Sequence, residues 1–320
     1  MEINFKNAEH ELKKIFPLYD FLLVDQFKKI FESFDKLPDQ RPCTCGAFSL
    51  SYVLGPLGFD EFEGKCLLDE DYLAHLAGVV IEQNEVEPSK AVELLVSRGL
   101  LKETEAITLF PKIWYRYPMQ SSSDDSILGT SPNGIAKAIY FGTKGELASV
   151  PIPARIADKS IQLTKEKWQK LLKLLSSNIN IWNWHGIVNY QMTHTLDPKH
   201  AAYTKENLQL ADPKSEIPFD DWDAGHFVGI GGLWSSSSQT WMLLLDSYKE
   251  RGFNGYQPQP SEMIRQGLIR SDSRGGGIQL IIESKRLEMV IKELSAIDIE
   301  FAMWDNGSPG PTDWIWELGL

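Results

Sequence analysis

Cysteine is scarce in this chain: Cys43, Cys45 and Cys66 are the three among 320 residues. So few cysteines exclude a disulfide framework and suit a reducing compartment. Cys43 and Cys45 are too close in sequence to bridge comfortably. The Cys-x-Cys spacing is not that of a zinc knuckle and no second pair exists, so no metal site is expected. Long apolar runs are missing too. The longest near the N-terminus, residues 15–24, contains Pro17 and Asp20 and is too short to span a bilayer. The first residues lack a signal-peptide layout, so the expected location is cytoplasmic, with no membrane partner. Basic runs are absent: 32 Lys and Arg face 44 Asp and Glu, for a net charge of −12, which argues against a nucleic-acid partner. No glycine loop reads as phosphate-binding, because Gly275-Gly276-Gly277 lacks both the strand–loop–helix context and a following lysine. No metal or organic cofactor is expected.

What is present is a folded composition, 42% hydrophobic and 24% charged, on a chain long enough to bury a substantial core. Helical spacing dominates the first half. An apolar stripe runs over residues 21–34, a second helix starts at Cys45 and stops near Gly55-Pro56, and residues 69–80 and 87–99 read as two more. Residues 107–117 are rich in β-branched and aromatic side chains, and 120–125 reads as a loop. Thr164 caps a clear helix with Trp168, Leu171, Leu172 and Leu175 on its apolar face. Strand-like segments follow at 179–190, 226–233 and 240–248, the last two flanking a serine-rich hairpin tip. Helices first and strands after predict an α+β fold, with a helical layer packed on an antiparallel sheet. Residues 271–277 read as a linker. The expected organisation is a main domain over 1–272 and a β-α-β extension over 273–320, as a separate unit or docked on the main sheet.

The most informative stretch is Cys43-Thr44-Cys45-Gly46-Ala47. A polar, proline-containing loop ends there and an apolar helix begins, so Cys45 sits at the positive end of the helix dipole, where a thiolate is favoured. Gly46 would let a substrate carbonyl approach the backbone. Far downstream, His226 opens one strand and Asp246 ends the next. Cys43 is the rival thiol. His185, in an aromatic strand with Asn189 four residues later, is the rival histidine, followed by His194 and His200. Asp246 is also readable as a turn residue, with Asn183 or Asn189 orienting the histidine instead. Asp220, Asp221 and Asp223 read as a solvated loop or as partners for a cationic group. Cys45 itself is also readable as an ordinary buried cysteine.

Cys45-Gly46-Ala47, then Gly225-His226-Phe227 with Ile230-Gly231-Gly232, then a run of leucines ending in Asp246, resembles the papain-like superfamily. Phytochelatin synthase and the bacteriocin-leader (double-glycine) peptidases are the nearest branches. The resemblance covers two windows, residues 42–54 and 223–246. It implies Cys45 as nucleophile, His226 as general base and acid, and Asp246 as the group that orients the imidazole. Papain-like enzymes usually carry an oxyanion-donor glutamine six residues before the nucleophile. Asp39 stands there, so Gln40, one residue closer, is the candidate donor. The implied activity is a thiol hydrolase or transferase acting on a peptide or small amide substrate: a γ-glutamyl peptide in the first branch, a small-residue cleavage site in the second. The alternative is a catalytically inactive papain-like fold serving as a binding module. The segment between Cys45 and His226 is longer than in compact relatives, so the resemblance implies a papain-like catalytic domain over 1–272 with an insertion around 107–165.

Overall fold

The structure, a computed structural model, describes residues 25–67, 69–83, 95–100, 102, 117, 119–195, 225–235, 240–249, 251, 254–272, 274–314 and 316. Its centre is a six-stranded antiparallel sheet in the order β5-β10-β6-β7-β8-β9. The strands are β5 (Leu147–Pro153), β6 (His185–Gln191), β7 (Gly225–Ser235), β8 (Thr240–Leu245), β9 (Tyr256–Pro260) and β10 (Gly277–Glu283). Four short strands lie outside it. β1 (Glu61–Phe62) and β2 (Lys65–Cys66) form a small hairpin, and β3 (Val80–Glu82) pairs in parallel with β4 (Gln120–Ser122).

Every residue of β6 and β9 is buried, as are the last five of β8. A strand buried at successive positions has both faces covered, because its side chains alternate between faces. The helices supply that cover: α1 (Asp25–Phe34), α2 (Cys45–Leu54), α3 (Glu70–Ala77), α4 (Pro132–Gly142), α5 (Lys165–Ser177), α6 (Ile179–Trp182), α7 (Ser261–Ile269) and α8 (Leu287–Ser295). The composition of α2, CGAFSLSYVL, explains its place. It has no charged residue, all ten of its residues are buried, and it packs along β7. The α+β architecture expected from the sequence is therefore the observed one.

Several local expectations differ. Residues 179–182 are not strand but α6, which ends at Asn183 in the left-handed conformation before β6 begins. Asparagine tolerates that conformation because its short amide bonds locally. Residues 120–122 are strand β4, not loop. The expected insertion carries α4 and the edge strand β5, which belong to the main fold. Strand β10, from the expected extension, lies between β5 and β6 in the sheet. Local pattern alone cannot reveal this, since an edge strand and a central strand share the same period. Among the described residues no strand follows α8: residues 297–303 are irregular. The expected helix from Glu87 and the segment 107–116 lie outside the described residues, apart from a helical turn at 95–97. Among the described residues no helix is long and apolar enough to cross a membrane.

Candidate active site

Helix α2 runs alongside the start of β7, in step with it. Cys45 and His226 line one cavity, close enough for the thiol to raise the His226 pKa. Four residues on, Ser49 Oγ donates to the Phe227 carbonyl at 3.2 Å. Three further on, the Tyr52 hydroxyl accepts the Gly229 N–H at 2.7 Å and donates to the Leu245 carbonyl at 2.9 Å. Spacing of i, i+4 and i+7 keeps these side chains on one helix face. Seven helical residues rise about 10.5 Å and three strand residues about 10 Å, so the two elements stay in register. Tyr52 thus bridges two residues that face each other across β7 and β8, which fixes α2 to both strands.

Across β7 and β8 the pairing shifts by one residue between Ile230 and Gly232. Gly231 is the extra residue of this bulge. Below it Gly229 pairs with Leu245, so Val228 stands opposite Asp246 and His226 is its diagonal neighbour on the same face. Without the extra residue Asp246 would share its face with Phe227 rather than with His226. Asp246 Oδ1 accepts from His226 Nε2 at 3.1 Å and from Tyr248 N–H at 2.9 Å, and Oδ2 accepts from Gln257 Nε2 at 2.7 Å. Both Asp246 and Gln257 are fully buried. With Nε2 committed to Asp246, Nδ1 is the ring nitrogen left for the thiol. Burial alone would push the His226 pKa down. The charge and hydrogen bond of Asp246, and then those of Cys45, outweigh burial and hold it up at about 9.

The turn before α2 has its own logic. Thr44 N–H bonds the Arg41 carbonyl at 3.4 Å, Pro42 follows Arg41, and Cys43 has φ +64°. This is a type II turn with proline at its second position and a left-handed residue at its third, where glycine is favoured. Cysteine stands there instead, half-buried and lining the same cavity as Cys45. Gln40 is buried, also lines that cavity, and donates from Nε2 to the Tyr248 hydroxyl at 2.9 Å; its other amide atom, Oε1, is buried without a hydrogen-bond partner. Asp39 is exposed and accepts from Lys249 N–H at 3.0 Å. Of the two, only Gln40 reaches the cavity. Cys45, at the first position of α2, has a backbone N–H with no helical acceptor.

Gly46 does not face a substrate as expected. A Cβ there would lie 2.9 Å from the Thr130 side chain, so its role is packing against the far wall of the cavity. Gly225 has a different neighbour. A Cβ on it would lie 2.0 Å from Arg270 Nη1, a guanidinium paired with Asp272 through Nε and Nη2. The buried Arg270 thus packs directly on the residue before His226.

The rivals are separated by position. His185 is fully buried, and burial holds its pKa down near 3, as for a neutral core residue. Asn189 is buried on β6, donating to the His226 carbonyl at 3.4 Å and accepting from Trp304 Nε1 at 3.1 Å. Cys66 is exposed. His194 ends a short 3₁₀ turn after β6. His200, Asp220, Asp221 and Asp223 lie outside the described residues. Among the described residues no group of three or more His, Cys, Asp or Glu is arranged to hold a metal.

The cavity measures about 490 Å³. One wall carries Gln40, Cys43, Cys45, His226 and Tyr248. The other is made of Glu82, Asp125, Ser126, Leu128 to Thr130, Arg274, Asn306 and Ser308. Arg274 Nη2 donates to the Ser126 carbonyl at 2.8 Å, and Ser308 Oγ donates to the Leu128 carbonyl at 2.8 Å, stitching three loops together. Sequence reasoning missed this wall, together with Tyr52, Tyr248 and Gln257. Loop residues brought together from distant positions carry no periodic signal.

Comparison with the curated proteins finds no match. A family model matches residues 24–305, nearly the whole of the fold just described, and the chain belongs to that family, the family of unknown function DUF6885.

Proposed function

We propose that this protein is a thiol hydrolase or transferase that opens a peptide or other amide bond, on a papain-like α+β scaffold. The observation that carries the reading is the buried chain of contacts from Cys45 through His226 to Asp246, opening on a cavity of about 490 Å³. Cys45 as thiolate attacks the substrate carbonyl carbon and forms a carbon–sulfur bond. Gln40 and the Cys45 N–H donate to the oxyanion. His226 gives its proton to the leaving amine as the carbon–nitrogen bond breaks. Water or an amine then attacks the thioester, with His226 taking its proton, and releases Cys45. Asp246 holds the imidazole and stabilises its charge, in keeping with a His226 pKa raised to about 9.

The test is covalent trapping. Incubation with an activated acyl ester, followed by intact mass measurement and peptide mapping, is expected to place one acyl group on Cys45. Cys45→Ala is expected to remove the adduct while leaving the thermal transition within a few degrees of wild type. Adducts spread over Cys43 and Cys66, or none at all, would sink the reading.

A further inference from the structure

The turn that precedes the nucleophile helix is tied to α3 by two acidic residues. Arg41 Nε pairs with Asp71 Oδ1 at 3.1 Å, and Asp71 is buried. Next to it, Glu70 Oε1 accepts the Arg41 N–H at 2.9 Å and makes a short hydrogen bond with Thr44 Oγ1. Thr44 is itself fully buried, and its Oγ1 also lies 2.7 Å from the Arg41 carbonyl oxygen.

Counting protons decides the direction of these bonds. A threonine hydroxyl has one proton to give and two lone pairs. A carbonyl oxygen has none to give, so the Arg41 contact consumes the threonine proton. The Glu70 contact must then run the other way, from a carboxylic acid to Thr44 Oγ1. A carboxylate at that place would leave two acceptors competing for one proton.

We propose that Glu70 is a positioning residue for Cys45: a neutral acid whose proton, given to Thr44 Oγ1, locks the Arg41–Thr44 turn and with it the start of the nucleophile helix. The proposal rests on the reading of Cys45 as the reactive thiol. The surroundings of Glu70 agree with it. Burial pushes its pKa up, the contact with Thr44, the Arg41 N–H bond and the Arg41 charge pull it back, and the Asp71 charge adds to the rise, leaving it at about 7. Arg41 from the turn and Asp71 from α3 are thus the charges that act on it. Ionisation has two consequences. The Thr44 proton turns to Glu70, so the Arg41 carbonyl keeps only the longer bond from Thr44 N–H. A negative charge also appears under the helix end whose dipole favours charge on Cys45.

Two measurements test this, using the full chain with Glu70→Gln and Glu70→Ala. The first is the thermal transition against pH. A carboxyl raised from 4.5 to about 7 on folding gives stability that is complete below 4.5 and lost as pH rises through about 7. The wild type is expected to lose stability over that window relative to Glu70→Gln, which cannot titrate. A constant offset between the two curves overturns the neutral acid. The second is the rate of Cys45 alkylation by iodoacetamide from about pH 5 to about pH 8, below and above the Glu70 transition. Glu70→Ala is expected to slow it by about tenfold at the acid end, and Glu70→Gln to recover most of that loss. Equal rates in wild type and Glu70→Ala overturn the positioning role. If wild-type Cys45 does not alkylate selectively, it is the thiol-enzyme reading that falls, and the pH dependence of the thermal transition still decides the proton on Glu70.

Discussion

The two walls of the cavity are built differently. The wall with Cys45, His226 and Asp246 stands on a helix and three paired strands. Asp246 has three hydrogen bonds there and Tyr52 holds helix to sheet with two more. The opposite wall takes Glu82 from the end of β3 and Asp125–Ile127 from a 3₁₀ turn, with loop at 128–130, 274 and 306–308, held by bonds such as Arg274 to Ser126 and Asn306 to Thr130. Regular elements fix atoms to within the tolerance that bond-making needs, whereas loops can change residues without disturbing a core. The comparison teaches that one wall is positioned by regular elements and the other by bonds between distant segments. The charged side chains also differ: Glu82, Asp125 and Arg274 line the opposite wall, whereas the near wall carries His226, hydrogen-bonded to the buried Asp246.

The sharpest way to break the scaffold wall is at Asp246. Asp246→Ala leaves His226 Nε2, Gln257 Nε2 and Tyr248 N–H without their acceptor. Turnover is expected to fall by at least about a hundredfold and stability by roughly 3–5 kcal/mol, read by kinetics and denaturant unfolding. Asp246→Asn keeps the shape and loses the charge. His226 is raised from 6.5 to about 9 in the fold, so the stability it contributes is complete below 6.5 and lost as pH rises through 9. In Asp246→Asn that loss, and the alkaline limb of activity with it, is expected at lower pH. An unmoved alkaline limb would show that Asp246 is only a strand-end residue.

A smaller effect is expected at Tyr52→Phe, which removes one hydroxyl remote from the thiol. Two buried backbone groups, Gly229 N–H and Leu245 C=O, lose their partner at a cost of about 2–4 kcal/mol. Cys45 alkylation should slow as well, because helix and strands are no longer held in step. A destabilised variant with an unchanged alkylation rate would separate stability from alignment and weaken the comparison. The smallest effect is expected at Cys43→Gly. Glycine relieves the left-handed strain of the turn but adds freedom to the unfolded chain, so stability should change by less than about 1 kcal/mol. Cys45 alkylation should stay within about threefold of wild type. A loss comparable to that of Asp246→Asn would give Cys43 a role in the chemistry.

Much of the scaffold wall was legible in the sequence. The switch from a polar loop to an uncharged apolar run marks the start of α2 at Cys45, and dipole physics alone makes that cysteine stand out. The Gly-His-Phe strand and the leucine strand ending in Asp246 spell a hairpin, whose expected serine-rich tip at 236–239 lies outside the described residues. Local pattern also supplied the α+β class. It could not supply partners across space. Residues 277–283 read as strand wherever they sit, and only the packed sheet puts them between β5 and β6. The opposite wall was invisible, since its members come from four distant segments and share no spacing.

The sequence by itself determined which side chains stand at element ends, because helix starts, strand ends and turns are set by neighbouring residues. Tertiary structure decided which of those ends meet. One extra residue at Gly231 puts Asp246 on the face of His226, because side chains alternate along a strand and a one-residue shift exchanges the faces. Tyr52 then aligns α2 with both strands, a contact across 177 residues to Gly229. Gln40 rather than Asp39 reaches the cavity because the backbone directs the one inward and the other to solvent. Each of these is a relation between surfaces far apart in the chain, and short-range propensity has no term for it.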